Sequence, residues 1–119
     1  MNPKDIKKQD EQLIKETELA KENMENLVRL CNNSSITMKI IVYPYPHHIL
    51  NERDNCLQVN FWKIFCLDHQ IEFIDLFPLF IQNKDPENII RGNFFVEDVH
   101  WNINGHYLVA SEIIKYMNQ

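Results

Sequence analysis

The sequence lacks the features that define several classes of protein. No apolar run approaches the roughly 20 residues that a membrane-spanning helix needs, so no membrane span is predicted. The net charge is −5, with acidic and basic residues mixed and no basic stripe, so nucleic acid is not an expected partner. The three cysteines lack metal-like spacing. A disulfide framework is therefore not expected, and a reducing compartment is favoured.

What the chain does contain fits one modest globular domain. Its 119 residues are enough for a single hydrophobic core, and aromatic residues are plentiful. Residues 1–5 carry no apolar segment of the kind found in a signal peptide. The localisation stays open on these grounds, with the cytoplasm favoured.

Residues 1–33 are predicted to form one amphipathic helix. Pro3 suits its first turn, and the polar residues from Asn32 onward suit its end. An apolar stripe recurs at helical spacing and strengthens toward the C-terminal end; it comprises Ile6, Leu13, Ala20, Met24, Leu27, Val28 and Cys31. A helix that covers a sheet is the favoured interpretation. A coiled coil, which would make the chain a non-catalytic interaction module, is the alternative.

Two short β-branched runs, 38–43 and 71–76, have the profile of buried parallel strands. A helix predicted over 54–69 lies between them, and this order indicates a parallel crossover connection. The predicted fold class is α/β, a three-layer α/β/α sandwich with a parallel sheet. Residues 34–119 would supply its C-terminal half.

The residues that follow the first strand are candidates for a binding site. Pro44 ends the strand, because proline cannot continue the ladder. Tyr45, His47 and His48 come next, at the edge where open α/β sheets bind ligands. Tyr45 and His47 are therefore candidate substrate-binding residues, and a solvated loop is the alternative for the two histidines.

A carboxylate and an imidazole lie two residues apart near the end of the chain. Asp98 and His100 follow a polar connector over 83–93 and precede a helix that Asn102 is suited to cap. The positive end of that helix favours the neutral imidazole that a general base needs. Asp98 can accept the other ring N–H and fix the tautomer. A surface loop with a structural cap is the alternative.

The last helix is predicted to bury one apolar side. That side comprises Ile103, Tyr107, Ala110, Ile113, Ile114 and Met117. Trp101 is expected to pack at the sheet edge and His106 to pack or cap. A metal-binding protein is a further, disfavoured alternative, because no His-Glu-x-x-His motif accompanies the possible ligands Asp98, His100, His106, His47 and His48. No cofactor or metal is predicted.

The run from Asp98 to His106, Asp-Val-His-Trp-Asn-Ile-Asn-Gly-His, resembles the last conserved block of the SGNH (GDSL-type) hydrolases and acyltransferases. Many members space the pair as Asp-x-x-His, whereas this chain has Asp-x-His. Residues 73–78 also resemble the strand that precedes the family's final loop, and the likeness extends over 38–118. It implies a Ser-His-Asp triad that acts on small-molecule or carbohydrate O-acyl esters, with His100 as base and then acid and Asp98 as its orienting carboxylate.

The family's other blocks are missing from this sequence. Its serines are Ser34, Ser35 and Ser111, and none lies in a strand-to-helix turn with small neighbours. Gly92-Asn93 does not match the family's Gly-x-Asn-Asp motif, so no oxyanion role is transferred to it. The nucleophilic serine is thus expected outside this chain, and the chain alone should be inactive or nearly so. An uncovered sheet edge predicts a homodimer or association with a chain that supplies the missing half.

Overall fold

The computed structural model describes residues 2–51, 56–81 and 85–117. In chain order, the elements in these ranges are α1 (Pro3–Asn33), β1 (Lys39–Val42), α2 (Pro46–Asn51), α3 (Leu57–His69), β2 (Glu72–Asp75), α4 (Phe77–Ile81), α5 (Pro86–Asn93) and α6 (Ile103–Met117). The chain divides into two compact units, residues 1–38 and residues 39–119. None of the described helices combines the length and the apolar character that crossing a membrane requires.

The first unit consists of α1 and the turn that follows it. The Asn2 side chain accepts the Lys4 N–H at 3.1 Å, and Pro3 occupies the first helical position. Before Thr17 every described side chain of α1 is exposed, and Leu13 is 60% exposed. From Thr17 onward one face is less exposed; it contains Thr17, Ala20, Met24, Val28 and Cys31.

The second unit contains a parallel sheet of two strands. β1 pairs with β2 so that Lys39 lies opposite Glu72 and Val42 opposite Asp75, and the two predicted strands are thus present. An ion pair of 2.7 Å joins Lys39 Nζ to Glu72 Oε2 at the start of this register. α3 packs against both strands.

One buried cluster of the second unit lies around the end of β2, in addition to the buried side chains of β1 and α3, which are Ile40, Val42, Phe65 and Cys66. The buried cluster draws on β2, on the residues that follow β2 and α5, and on four helices; it contains Ile49, Ile74, Leu76, Phe80, Ile89, Phe94 and Val109. These contacts hold α5 and α6 in the same cluster, so the end of α5 and the beginning of α6 are fixed close together.

The prediction of a three-layer α/β/α sandwich is wrong. Within the described ranges the chain is mostly helical, and its sheet has two strands. A two-stranded sheet offers too little apolar surface for helices to cover on both faces. α3 packs on the sheet, whereas α5 packs on α2 and α6.

Two segments predicted as loops are helical. His47 and His48 lie in α2, and the predicted connector over 83–93 contains α5; residues 82–84 lie outside the described residues. Proline occupies the first position of both helices, which its fixed φ favours. Asp85 caps α5 by accepting the Glu87 N–H at 3.1 Å. The first residues of the helix predicted over 54–69 also lie outside the described residues, which show that helix from Leu57.

α6 buries a different side from the one predicted. Of the predicted set, Ile113 packs against the core cluster, whereas the others are exposed: Ile103, Tyr107, Ala110, Ile114 and Met117. Gly105 and Val109 are buried instead. The reason is the close approach at Gly105, where an added Cβ would lie 2.2 Å from the Asn93 carbonyl oxygen. That contact turns the Gly105 side of the helix toward the core.

Candidate functional site

The candidate catalytic residues lie on a short loop, residues 95–100, which we call the dyad loop. The residues on either side of it, Phe94 and Trp101, form an isolated antiparallel bridge. The Phe95 N–H donates to the His100 carbonyl at 3.0 Å. The two ends of the loop are thus joined directly before α6 begins.

Asp98 and His100 contact each other within this loop. Asp98 Oδ1 lies 2.6 Å from His100 Nδ1 and accepts the His100 backbone N–H at 3.2 Å. The hydrogen bond from the His100 side chain is the largest cause that lowers the pKa of Asp98, and the His100 backbone N–H adds to it. A proton held on Nδ1 leaves Nε2 as the acceptor, which is the tautomer that a general base uses. The structure therefore brings the two predicted catalytic residues together.

The pair lies at the protein surface. The His100 side chain is 76% exposed and the Asp98 side chain 46%. Within the described ranges, the hydrogen bonds of the His100 ring go to Asp98 alone, and the Ser111 hydroxyl makes no hydrogen bond with it. Solvent screens charges placed this way. By itself, the pair can accept a proton at His100 Nε2 and hold it.

Asn102 fastens the C-terminal end of the dyad loop to α5. Its Oδ1 accepts the Gly105 N–H at 3.0 Å, which caps α6 as the sequence predicted. Its Nδ2 donates to the Gly92 carbonyl at 3.1 Å, and its backbone N–H donates to the Asn93 carbonyl at 3.0 Å. One residue thus serves as helix cap and as clamp, so α6 starts at a fixed place relative to α5.

A row of aromatic rings extends from the dyad loop to the end of β1. The Trp101 ring lies edge-on to Tyr43 at 4.8 Å and to His106 at 5.4 Å between centroids. Tyr43 in turn lies 6.0 Å from Tyr45, whose ring stacks on His48 at 5.8 Å. The Trp101 Nε1 atom is buried and has no hydrogen-bond partner in the part of the chain that the structure describes. Trp101 thus packs beside the first residue after β1, close to the predicted sheet edge.

The predicted substrate-binding residues lie at different distances from this row. Tyr45 belongs to it and is 42% exposed, and in this row the rings of Tyr43 and Trp101 come between Tyr45 and the dyad loop. His47 is exposed, and its Nδ1 lies 3.1 Å from Asn51 Nδ2 within α2. Sequence reasoning missed Tyr43, although its place directly after β1 marks it by the same rule that selected Tyr45.

The described ranges contain neither a metal-binding cluster nor an activated thiol. No group of three or more histidine, cysteine, aspartate or glutamate side chains is placed there to hold a metal ion. The cysteines are free, and burial raises the pKa of the Cys66 thiol, which disfavours the reactive thiolate.

A scan against protein-family models, a search of the curated proteins and a search of the solved structures each find no match. The likeness to the SGNH hydrolases therefore rests on residues 98–106 and 73–78 of this sequence, and it stays a prediction.

Proposed function

We propose that this chain supplies the acid–base part of an SGNH-type serine esterase or acyltransferase. His100 acts as general base and then as general acid, and Asp98 orients the imidazole and stabilises its protonated form. The serine nucleophile comes from outside these 119 residues. The observation that carries the proposal is the 2.6 Å contact between Asp98 Oδ1 and His100 Nδ1.

The proposed reaction moves one proton through His100. Nε2 takes the proton of the serine hydroxyl as its oxygen attacks the ester carbonyl, and it gives that proton to the departing alkoxide. In the second step Nε2 takes a proton from water, or from an acceptor alcohol, and returns it to the serine. The substrate class that follows is a small-molecule or carbohydrate O-acyl ester. Donors for the developing oxyanion must also come from outside this chain.

The exposure of Asp98 and His100 supports a nucleophile that is supplied by another polypeptide segment. A dyad that is open to solvent offers Nε2 to an incoming hydroxyl, and a segment that covers the loop would also exclude water. Lower local polarity strengthens the attraction between the imidazolium and the carboxylate. The association partner that we propose is therefore a polypeptide segment that carries the serine and covers the dyad loop.

The first experiment measures hydrolysis of p-nitrophenyl acetate by the purified chain. We expect the wild-type chain and the His100→Ala variant to give the same rate, because no nucleophile contacts His100 among the described residues. His106→Ala is the matched control, since it removes a second exposed imidazole near the same loop. Hydrolysis that His100→Ala abolishes and His106→Ala preserves would place a nucleophile within this chain and contradict the proposal.

The positive arm uses the genomic DNA that adjoins this coding sequence. A segment there that encodes a serine in a strand-to-helix turn is expressed together with the chain and exposed to a fluorophosphonate probe. We expect serine labelling that His100→Ala abolishes and that Asp98→Asn reduces roughly a hundredfold or more, because the carboxylate fixes the tautomer. Serine labelling that is unchanged in the His100→Ala variant would overturn the assignment of His100 as the general base.

A second candidate function, an interaction module built on α1, is supported by exposed leucines. Leu13 is 60% exposed, Leu27 42% and Leu30 62%, and the first two lie two heptads apart. Concentration-dependent sedimentation that Leu13→Lys abolishes would support this candidate. The dyad would then be a surface loop without a catalytic role.

A further inference from the structure

α6 exposes an apolar stripe along its whole length, which we call the α6 stripe. Its members follow one another at alternating intervals of four and three residues, the spacing of a helix that packs on another helix. They are Ile103 (85% exposed), Tyr107 (77%), Ala110, Ile114 (54%) and Met117 (72%). An isolated exposed leucine needs no explanation, but a continuous stripe of this kind marks an interaction surface.

We propose that the α6 stripe is a homodimer interface, in which α6 packs antiparallel on α6 of a second copy of this chain. The proposal is independent of the esterase function. It differs from the α1 candidate in the helix that it uses.

The order of residues along the stripe fits a two-fold axis at Ala110. Ile103 and Met117 lie seven residues before and after it, so each would contact the other across the axis. Tyr107 lies three residues before Ala110 and Ile114 four residues after it, so these two side chains would pack side by side, offset by one residue, between the axis and the ends of the stripe. Ala110 meets its own copy, and its small side chain lets the two helices approach closely. Such self-complementarity is what an isologous interface requires.

The charges on α6 also favour this partner. Asn104, His106 and Ser111 flank the stripe, so the residues that flank it include no carboxylate, lysine or arginine. Glu112 and Lys115 pair with each other at 2.9 Å. An antiparallel arrangement places the positive N-terminal end of each α6 beside the negative C-terminal end of the other. A parallel pair would place like ends together.

The dimer should be weak. The stripe is about 21 Å long, from 14 residue steps of about 1.5 Å each. The area of this stripe is smaller than the roughly 800 Å² per partner that stable complexes bury. We therefore expect a reversible dimer that forms in the upper micromolar range.

The test begins with sedimentation velocity of the full chain over a roughly hundredfold range of concentration. The wild type should shift from monomer to dimer, and the double variant Ile103→Lys/Tyr107→Lys should raise the dissociation constant roughly tenfold or more. Leu57→Lys is the matched control, because Leu57 is 81% exposed on α3 and outside the stripe. Thermal melts of each variant verify that it remains folded.

Cysteine cross-linking then tests the orientation, in a Cys31→Ser background because Cys56 and Cys66 are buried. Ala110→Cys should form an intermolecular disulfide, since facing Cα atoms at a helix contact fall within about 7 Å. Ile103→Cys alone should not cross-link. A mixture of Ile103→Cys and Met117→Cys should.

Three results would overturn the proposal. They are a monomer at every concentration, a dimer that survives the Ile103→Lys/Tyr107→Lys substitution, and a disulfide formed by Ile103→Cys alone, which would indicate parallel helices. Loss of the dimer on Leu13→Lys, with the stripe variants unaffected, would assign the interface to α1 instead.

Discussion

The dyad loop and the junction that carries it, where Asn93 and Phe94 at the end of α5 meet Gly105 of α6, are built in opposite ways. In the junction, Phe94 is 3% exposed, and Gly105 lies so close to Asn93 that no side chain fits between them. In the loop, Val96 is 89% exposed and the His100 side chain 76%. The comparison indicates that the junction contributes to folding, whereas the loop exposes the Asp98 carboxylate and the His100 imidazole to solvent. Substitutions in the two parts should therefore have separable effects.

The largest effect is expected from Gly105→Ala. The new Cβ would lie 2.2 Å from the Asn93 carbonyl oxygen and 2.8 Å from Trp101 Cβ, and neither atom belongs to a flexible side-chain end. We expect the free energy of unfolding to fall by about 3 kcal/mol. Urea titration followed by circular dichroism measures it.

Gly92→Ala is the matched control for that experiment. An added Cβ at Gly92 meets nothing within 4 Å, and Gly92 lies within α5. Alanine there should stabilise the helix by roughly 0.5–1 kcal/mol. Equal effects of the two substitutions would show that the junction is not tightly packed and would remove the contrast between junction and loop.

A smaller effect is expected from Asn102→Ala, which removes the cap of α6 and the side-chain clamp to Gly92. The loss should be about 1–2 kcal/mol in the free energy of unfolding. Asn104→Ala is the control, because Asn104 donates to the same Gly92 carbonyl from an exposed position at 3.4 Å. It should cost less than about 0.5 kcal/mol. The Gly105 N–H donates a hydrogen bond to Asn102 Oδ1. Hydrogen exchange at this amide should therefore accelerate in Asn102→Ala and not in Asn104→Ala.

The smallest effect on folding is expected from Asp98→Asn, and it should depend on pH. The pKa of Asp98 is lowered below 3.8 in the folded chain, chiefly by the His100 side chain. The stability that Asp98 contributes is therefore present above pH 3.8 and is lost as the pH falls through the lowered pKa. The melting temperature of the wild type should slightly exceed that of the variant at neutral pH, and the gap should close in acid. A constant gap across this range would show that the dyad contact does not form in solution.

Local signals in the sequence predicted several elements well. Pro3 and Asn32 bound a charged, periodic segment, and the structure shows α1 over Pro3–Asn33. The β-branched run 38–43 contains β1. Each of these depends on neighbours in the sequence, and so does the Asp98–His100 contact, since two residues of separation leave little freedom of placement.

Features that depend on contacts between residues far apart in the sequence were predicted poorly. The three-layer sandwich was inferred from strand order and from resemblance, but the number of strands in a sheet depends on pairings that no local pattern fixes. The buried side of α6 was also predicted wrongly, because two of its sides are apolar and periodicity cannot rank them. Gly105 carried the missing information, since a glycine inside a helix indicates a close approach of backbones. The polar connector predicted over 83–93 likewise contains a helix start, since Asp85 caps α5 and Pro86 occupies its first position.

The closeness of Asp98 and His100 in the sequence has a consequence for how an active site could be assembled from two polypeptides. The contact closes a very small ring of backbone, so ordering it costs little chain entropy. Val99 alone separates the two residues. Under the proposed function, a partner that carries the serine would meet an imidazole that is already oriented, so none of its binding energy would be lost to ordering that group. The orientation of the imidazole thus depends on three consecutive residues and on the junction that carries the dyad loop.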